Sequence, residues 1–319
     1  MLAHAAGPPI LLAPMTGTAR YLPHLLLVVL IVIWSGSFAV SKIGLDTLAP
    51  FSLVTVRFWI AAVCVAPFAL RAGALAEFRL ALRPGLIAGA ALASGYLLQM
   101  VGMTETSAAM GGLLAGLMVP IVAVGGFLFL GARFGGAGLA GLLLAIAGMV
   151  AICWPSDGPG DGVADGPRDT LFGILLQVGS SASYATHVLL LSRFGQRMPI
   201  AAFTFVQMVV VAGAATLAML VTGRFAATAD GSVVWNGSLL ATLAYLGILS
   251  TAVAIGIQAK VQHRIPPAHV ALLFTLQPLF AALCGWLALG DHLGLLQVLG
   301  GGLIVAGVVV TSLDRNPSP

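Results

Sequence analysis

The chain alternates long apolar runs with short polar connections from residue 21 almost to its end. Most runs reach the roughly 20 apolar residues that cross a bilayer as a helix. The short alternating segments typical of a transmembrane β-barrel do not occur in the sequence. The pattern predicts an all-α integral membrane protein with ten transmembrane helices: residues 21–41, 49–70, 84–103, 107–130, 135–154, 170–191, 200–222, 237–260, 268–289 and 293–313.

Two stretches about half a chain apart share one framework of glycines. Pairs separated by 159 residues are Gly131 and Gly290, Gly135 and Gly294, Gly141 and Gly300, and Gly148 and Gly307. Pro120 and Pro278 also correspond, with one residue fewer between them. We interpret the chain as two copies of one unit, residues 21–154 and 170–313. A hydrophilic linker rich in Gly, Pro and Asp, residues 155–169, joins them.

Composition and charge agree with a membrane protein. Hydrophobic residues make up 60% of the chain and charged residues 8%, against about 25% charged residues in soluble domains. The net charge is +4. In a membrane protein the placement of Lys and Arg reflects its orientation in the bilayer, so we expect no nucleic-acid partner. With the N-terminus in the cytoplasm, ten Lys and Arg residues lie on the cytoplasmic side and three outside. The positive-inside rule therefore favours two cytoplasmic termini.

Five spans in each unit have a topological consequence. The second unit must enter the membrane from the opposite side, so the chain forms two inverted five-helix repeats. Many secondary transporters have this architecture, with a substrate site near the midplane between the halves. The alternative is a duplicated helical bundle without a transport role.

Three motifs carry a resemblance to a known family. They are WSGSFAVSKIGL at 34–45, FSLVTVRFWIAA at 51–62 and RIPPAHVALLFTLQPLFAALCGWLALGDHL at 264–293. Together they resemble the EamA-type branch of the drug/metabolite transporter superfamily over nearly the whole chain. The resemblance implies ten helices, an inverted repeat and export of metabolites or drugs across the bacterial inner membrane. Amino-acid exporters are well represented in that family.

The chain departs from the family pattern at two positions. The acidic residue usual before the proline of the ninth helix is Gln277, and the one usual after the turn glycine is Ala132 in the first unit. Both departures weaken any mechanism that depends on these carboxylates.

Arg57 is the one charged residue placed well inside a span. It lies about 12 Å deep at the usual helical rise. A charge at this depth usually faces a cavity or a partner. Arg57 could bind a substrate carboxylate or hold helices together. Lys42, at the outer end of the first span, is interpreted as an interfacial anchor.

Polar residues inside other spans are further candidates for substrate binding. In the sixth span, Gln177, Ser180, Tyr184 and His187 follow at steps of three, four and three, which places them on one helix face. Such a stripe lines a substrate path or forms hydrogen bonds between helices. The predicted substrate-binding set is Trp34, Ser37, Arg57, Tyr96, Gln99, Ser180, Tyr184, His187, Gln258 and Gln277. Pro120 and Pro278 are predicted gating or structural positions, because proline frees a backbone carbonyl one turn earlier.

Several kinds of chemistry are not indicated by the sequence. It contains no ATP-binding P-loop motif, and the Asp-rich linker lacks the Gly and Glu of an EF-hand. We therefore expect no cofactor and no metal. No acid lies mid-membrane, so facilitated diffusion and proton exchange both remain open. An intramembrane enzyme would need a nucleophile–base pair that is not found, and a channel would normally need a ring of filter residues.

The sequence therefore predicts a secondary transporter that exports small metabolites, amino acids in the first place, by alternating access. Its partners are a small-molecule substrate and the lipid bilayer, and one chain can suffice for a pathway. A drug or nucleobase exporter of the same fold is the alternative.

Overall fold

The computed structural model describes residues 21–71, 74–106, 114–131, 135–153, 170–228, 231–265, 267–277, 279–280 and 295–312. Nine of its elements are α1 (Leu22–Leu45), α2 (Pro50–Ala69), α3 (Leu75–Glu105), α4 (Met118–Leu130), α5 (Gly136–Cys153), α6 (Leu171–Phe194), α7 (Ile200–Thr222), α9 (Pro267–Phe274) and α10 (Leu295–Ser312). A further helical span, α8, covers Gly237–Arg264. The linker 155–169, the turn 290–292 and Pro278 lie outside the described residues.

The α8 span changes its helical type along its length. It begins as an α-helix at Gly237–Ala244, continues as a π-helix at Tyr245–Val253, and returns to α-helix at Ala254–Val261. A 3-10 turn at Gln262–Arg264 ends it. Asn236 caps its start, because its side-chain oxygen accepts a hydrogen bond from the Leu239 backbone N–H at 2.8 Å.

The predicted all-α membrane fold is confirmed. The helices α1, α2, α3, α6, α7 and α8 are each long and apolar enough to cross a membrane. Within the described ranges there is no strand, only an isolated bridge between Leu48 and Ala226. Many large apolar side chains point outward, such as Phe127, Phe129 and Val221, as expected of surfaces that face lipid tails.

The third and fourth helices differ most from the spans predicted for them. The third begins at Leu75 instead of residue 84, because Pro84 lies within it and does not end it. In the fourth, the helix before Pro120 is interrupted at residues 116–117. Proline lacks an N–H and its ring collides with the carbonyl one turn earlier. That carbonyl, of Gly116, accepts a hydrogen bond from Val119 N–H at 3.0 Å in a tightened turn.

The packing of α5 against α10 shows the relation between the two repeats. A Cβ atom added at Gly148 would collide with the carbonyl of Gly300, and one added at Gly307 would collide with the carbonyl of Gly141. The two contacts correspond under the repeat, because Gly307 follows Gly148 by 159 residues and Gly300 follows Gly141 by 159 residues. The two helices run antiparallel, since the higher number on one faces the lower number on the other. The inverted repeat is therefore confirmed by a reciprocal, two-fold contact in which glycine allows the backbones to meet.

The inner faces of four helices enclose the core that positions the site. α2, α3, α7 and α8 form one apolar cluster that includes Phe58, Tyr96, Met208 and Ile255, all buried. Two of these helices come from each repeat. A polar side chain in this cluster therefore lies between the two halves of the molecule.

Candidate functional site

Arg57 lies inside this apolar cluster and is 4% exposed. Its Nε donates a hydrogen bond to Thr251 Oγ1 at 2.6 Å. Its Nη2 donates to Tyr96 Oη at 3.1 Å and to Ser250 Oγ at 3.0 Å. We call these four residues, Arg57, Tyr96, Ser250 and Thr251, the arginine cluster. It joins α2 and α3 of the first repeat to α8 of the second.

The arginine cluster contains a cation without an anion. All three hydrogen-bond acceptors of Arg57 are neutral hydroxyl groups. Across the described residues the only salt bridge joins Arg71 and Glu77, at the surface. Nor does any described residue accept a hydrogen bond from Arg57 Nη1. A buried charge is costly unless it is paired, and within the described residues no anion pairs with this one.

Aromatic rings surround the guanidinium. Its central carbon lies 4.9 Å from the centroid of the Tyr96 ring and 5.9 Å from that of Phe58. Rings at these distances attract a cation through their faces. Tyr96 also contacts Tyr184 edge-on, with centroids 5.5 Å apart, and Tyr184 Oη donates to Gln99 Oε1 at 3.0 Å. The predicted residues Arg57, Tyr96, Gln99 and Tyr184 therefore form one connected group.

The π-helical part of α8 explains how two adjacent residues reach one arginine. A π-turn holds more residues than an α-turn, so the side chains of Ser250 and Thr251 point in more similar directions. The hydroxyl of Thr251 donates to the carbonyl of Leu246, five residues earlier, at 2.6 Å. The carbonyl of Ser250 accepts a hydrogen bond from Trp34 Nε1 at 2.9 Å.

Trp34 connects α1 to this region. Its ring stacks on that of Phe274 in α9, with centroids 6.0 Å apart and planes inclined by 11°. The neighbouring Ser35 donates to the backbone carbonyl of Gln277 at 3.0 Å, and Ser37 donates to the carbonyl of Trp34 at 2.8 Å. Of the predicted residues here, Trp34 contacts the arginine cluster directly, through Ser250, whereas Ser37 and Gln277 are joined to it through the backbone of α1.

His187 and Gln258 belong to two other polar contacts. His187 Nε2 lies 2.7 Å from Gln207 Oε1, and both side chains are buried. Gln258 Nε2 donates to Gln262 Oε1 at 2.7 Å, and Gln262 in turn donates to the carbonyl of Val188 at 2.6 Å. These amides join α6, α7 and α8 to one another. Neither pair has a hydrogen bond to the arginine cluster.

The polar stripe of α6 faces neighbouring helices. Ser180 donates to the carbonyl of Gly95 in α3 at 3.0 Å. A Cβ atom on Gly102 of α3 would lie 3.0 Å from the Gln177 side chain, so Gln177 packs against that glycine. Tyr184 contacts Gln99 and Tyr96 of α3, and His187 contacts Gln207 of α7. Each of the four stripe residues therefore contacts another helix.

Sequence reasoning missed Ser250, Thr251 and Gln262. Serine and threonine in membrane helices commonly bond to carbonyls of their own helix, so their identity alone does not mark a site. The available signal was their mid-span position, adjacent to each other, in the second repeat. Of the other predicted positions, Pro278 and the side chain of Lys42 lie outside the described residues.

The fold and site together define a class: a multi-pass helical membrane protein of two inverted repeats with a polar site between them. The profile of the EamA-like transporter family matches residues 22–154 and 171–313. The chain belongs to the EamA-like transporter family. The family resemblance inferred from the three motifs is thereby confirmed.

Similar proteins match most of the chain. Two uncharacterized transporters of Archaeoglobus fulgidus are 25% and 26% identical, over 93% and 92% of this chain and 88% and 98% of their own. A probable amino-acid metabolite efflux pump of Escherichia coli is 27% identical over 89% of this chain and 93% of its own. A solved crystal structure has the same fold, with a TM-score of 0.74 and 20% identity over 92% of this chain and 98% of that one.

Proposed function

We propose that this protein is a secondary carrier that exports small metabolites bearing a carboxylate, amino acids in the first place, by alternating access. The observation that carries the proposal is Arg57, a buried cation whose described partners are all neutral. A substrate carboxylate would supply the missing charge through a charge-assisted hydrogen bond. The printed name of the Escherichia coli relative, an amino-acid metabolite efflux pump, supports the same substrate class.

The surroundings of Arg57 suit the rest of an amino acid. Tyr96 and Tyr184 offer ring surfaces and hydroxyl groups, and Gln99 offers an amide close by. Small-molecule sites commonly combine such apolar walls with a few polar groups that orient the ligand. Because α1, α2, α3, α6 and α8 all contribute, movement of one repeat against the other would alter the site, as alternating access requires.

The orientation we propose places the basic end of the bundle in the cytoplasm of a bacterium, with the protein in the inner membrane. The described cations at this end are Arg71, Arg79, Arg83, Arg193, Arg197, Lys260 and Arg264, and Glu77 is the acid among them. Such an excess of Lys and Arg sets orientation by the positive-inside rule. Labelling of single cysteines introduced in the loops after α2 and α7 would test it.

Transport by purified protein in proteoliposomes tests the proposed function. We expect saturable uptake of labelled amino acids, and a screen with and without a pH gradient separates facilitated diffusion from proton exchange. Arg57→Lys, which keeps the charge but loses the planar fork, should reduce uptake at least tenfold. The matched control Arg83→Gln, which removes an exposed arginine, should leave it unchanged. Absence of uptake for every amino acid by folded protein would refute the substrate class, and uptake of drugs or nucleobases would then favour the alternative exporter.

A further inference from the structure

The corner between α6 and α7 contains a second basic site, separate from the arginine cluster. A cavity of about 490 Å³ is lined there by Ser192, Arg193, Phe194, Arg197 and Met198. Ligand cavities commonly measure about 300–1,000 Å³. Both arginines are exposed, and in the parts of the chain that the structure describes neither forms a salt bridge. The cavity therefore offers two free guanidinium groups beside two apolar side chains.

Contacts with the end of α8 hold the walls of this cavity in place. The 3-10 turn Gly195–Arg197 packs against the 3-10 turn Gln262–Arg264. Gly195 packs closely against this turn, since an added Cβ atom would lie 3.1 Å from the His263 side chain. Ser192 accepts a hydrogen bond from Gln262 Nε2 at 3.3 Å. Arg193 and Arg197 therefore extend from a backbone fixed on one side by another helix.

The position of the cavity indicates the ligand. It lies where α6 ends and the chain reverses into α7, and we take the ends of these two membrane helices as the level of the lipid headgroups. Basic cavities between transmembrane helices at such a level bind anionic headgroups. Guanidinium groups match the oxygens of a phosphate in pairs, and Phe194 and Met198 can pack against the glycerol and the first methylene groups.

We propose that this cavity binds the phosphate of an anionic membrane lipid. This inference concerns a site that shares no residue with the arginine cluster, and it does not depend on the carboxylate proposed at Arg57. Its occupant is a lipid headgroup, so binding requires the acyl chains as well as the phosphate. Free inorganic phosphate has the same charge chemistry without the apolar part.

Native mass spectrometry of the full chain in detergent tests the proposal, with phosphatidylglycerol, phosphatidylcholine and inorganic phosphate as probes. We expect the double variant Arg193→Gln/Arg197→Gln to bind phosphatidylglycerol about 10- to 30-fold more weakly, since each exposed ion pair between an arginine of the cavity and the phosphate contributes up to about fivefold. The control Arg79→Gln/Arg83→Gln removes the same charge from exposed positions at the same end and should bind like the unchanged protein.

Equal losses in the two double variants, or no loss in either, would overturn the proposal. So would equal binding of phosphatidylcholine, or displacement of the lipid by millimolar phosphate, which would assign the cavity to a soluble anion. If the glutamine variant does not fold, as judged by its elution profile, Arg193→Lys/Arg197→Lys decides the question. It keeps the charge but not the paired geometry, and unchanged lipid binding by it would contradict recognition of the phosphate by arginine.

Discussion

Thr251→Val removes one hydroxyl from the centre of the bundle and keeps the shape of the side chain. Thr251 Oγ1 accepts from Arg57 Nε at 2.6 Å and donates to the Leu246 carbonyl at 2.6 Å. It is the single described acceptor of Nε, whereas Nη2 has two, in Tyr96 and Ser250. Valine would leave a buried, charged N–H without an acceptor.

The expected loss follows from this difference in partners. A hydrogen bond to a charged group contributes about 1.5–3 kcal/mol, and an unsatisfied buried group costs a similar amount. We expect Thr251→Val to lower the free energy of unfolding by about 2–3 kcal/mol. Ser250→Ala should cost about 1 kcal/mol, because Tyr96 still accepts from Nη2. Thr251→Val should also lower substrate affinity about tenfold, because Arg57 loses the contact that fixes its Nε. A tenfold loss corresponds to about 1.4 kcal/mol of binding free energy.

Denaturant titration in mixed micelles, followed by circular dichroism, measures these free energies. Thr216→Val is a matched control, because Thr216 also accepts an N–H from another helix, Trp59 Nε1 at 3.1 Å, and donates to the Ala212 carbonyl. That donor is neutral and its side chain is exposed, so the control should change stability by about 0.5 kcal/mol or less. A loss in Ser250→Ala as large as that in Thr251→Val would refute the reasoning.

Other contacts give further predictions. Gly148→Ala and Gly307→Ala should each lower the free energy of unfolding by about 2–3 kcal/mol, and by similar amounts because their contacts are related by the two-fold axis. Gly213→Ala, where an added Cβ meets nothing within 4 Å, should leave stability unchanged or raise it by about 0.5–1 kcal/mol; a matching loss there would contradict the collision argument. Gln207→Leu removes the partner of His187 Nε2 and should cost about 1–3 kcal/mol in the same titration, and a neutral result would show that the pair does not stabilise the fold.

The repeat could be predicted from the sequence because its cause is local. Where two helices cross at backbone distance, only glycine fits, and an inverted duplication places such glycines at one offset. That offset relates Gly148 to Gly307, and the structure places Gly148 against Gly300 and Gly307 against Gly141, in each case a glycine of the other repeat. Long apolar runs predicted the helices for an equally direct reason, the thickness of the bilayer.

The arginine cluster could be predicted only in part. The depth of Arg57 follows from its position in an apolar run, so its importance was evident. The directions of its partners Ser250 and Thr251 depend on the π-helical segment of α8. The sequence carries no signal for that change from α-helix to π-helix. Periodicity likewise placed Ser180 and Tyr184 on one face of α6 but could not tell whether that face meets a helix or a cavity.

Competition between a transported amino acid and its decarboxylated amine tests the central claim most directly. The two ligands differ by the group assigned to Arg57, so proteoliposomes with the unchanged protein should bind the amino acid at least tenfold more tightly. In Arg57→Gln, checked for folding by its thermal unfolding, this preference should disappear, while in Arg83→Gln it should remain. An unchanged preference for the carboxylate in folded Arg57→Gln would contradict the account.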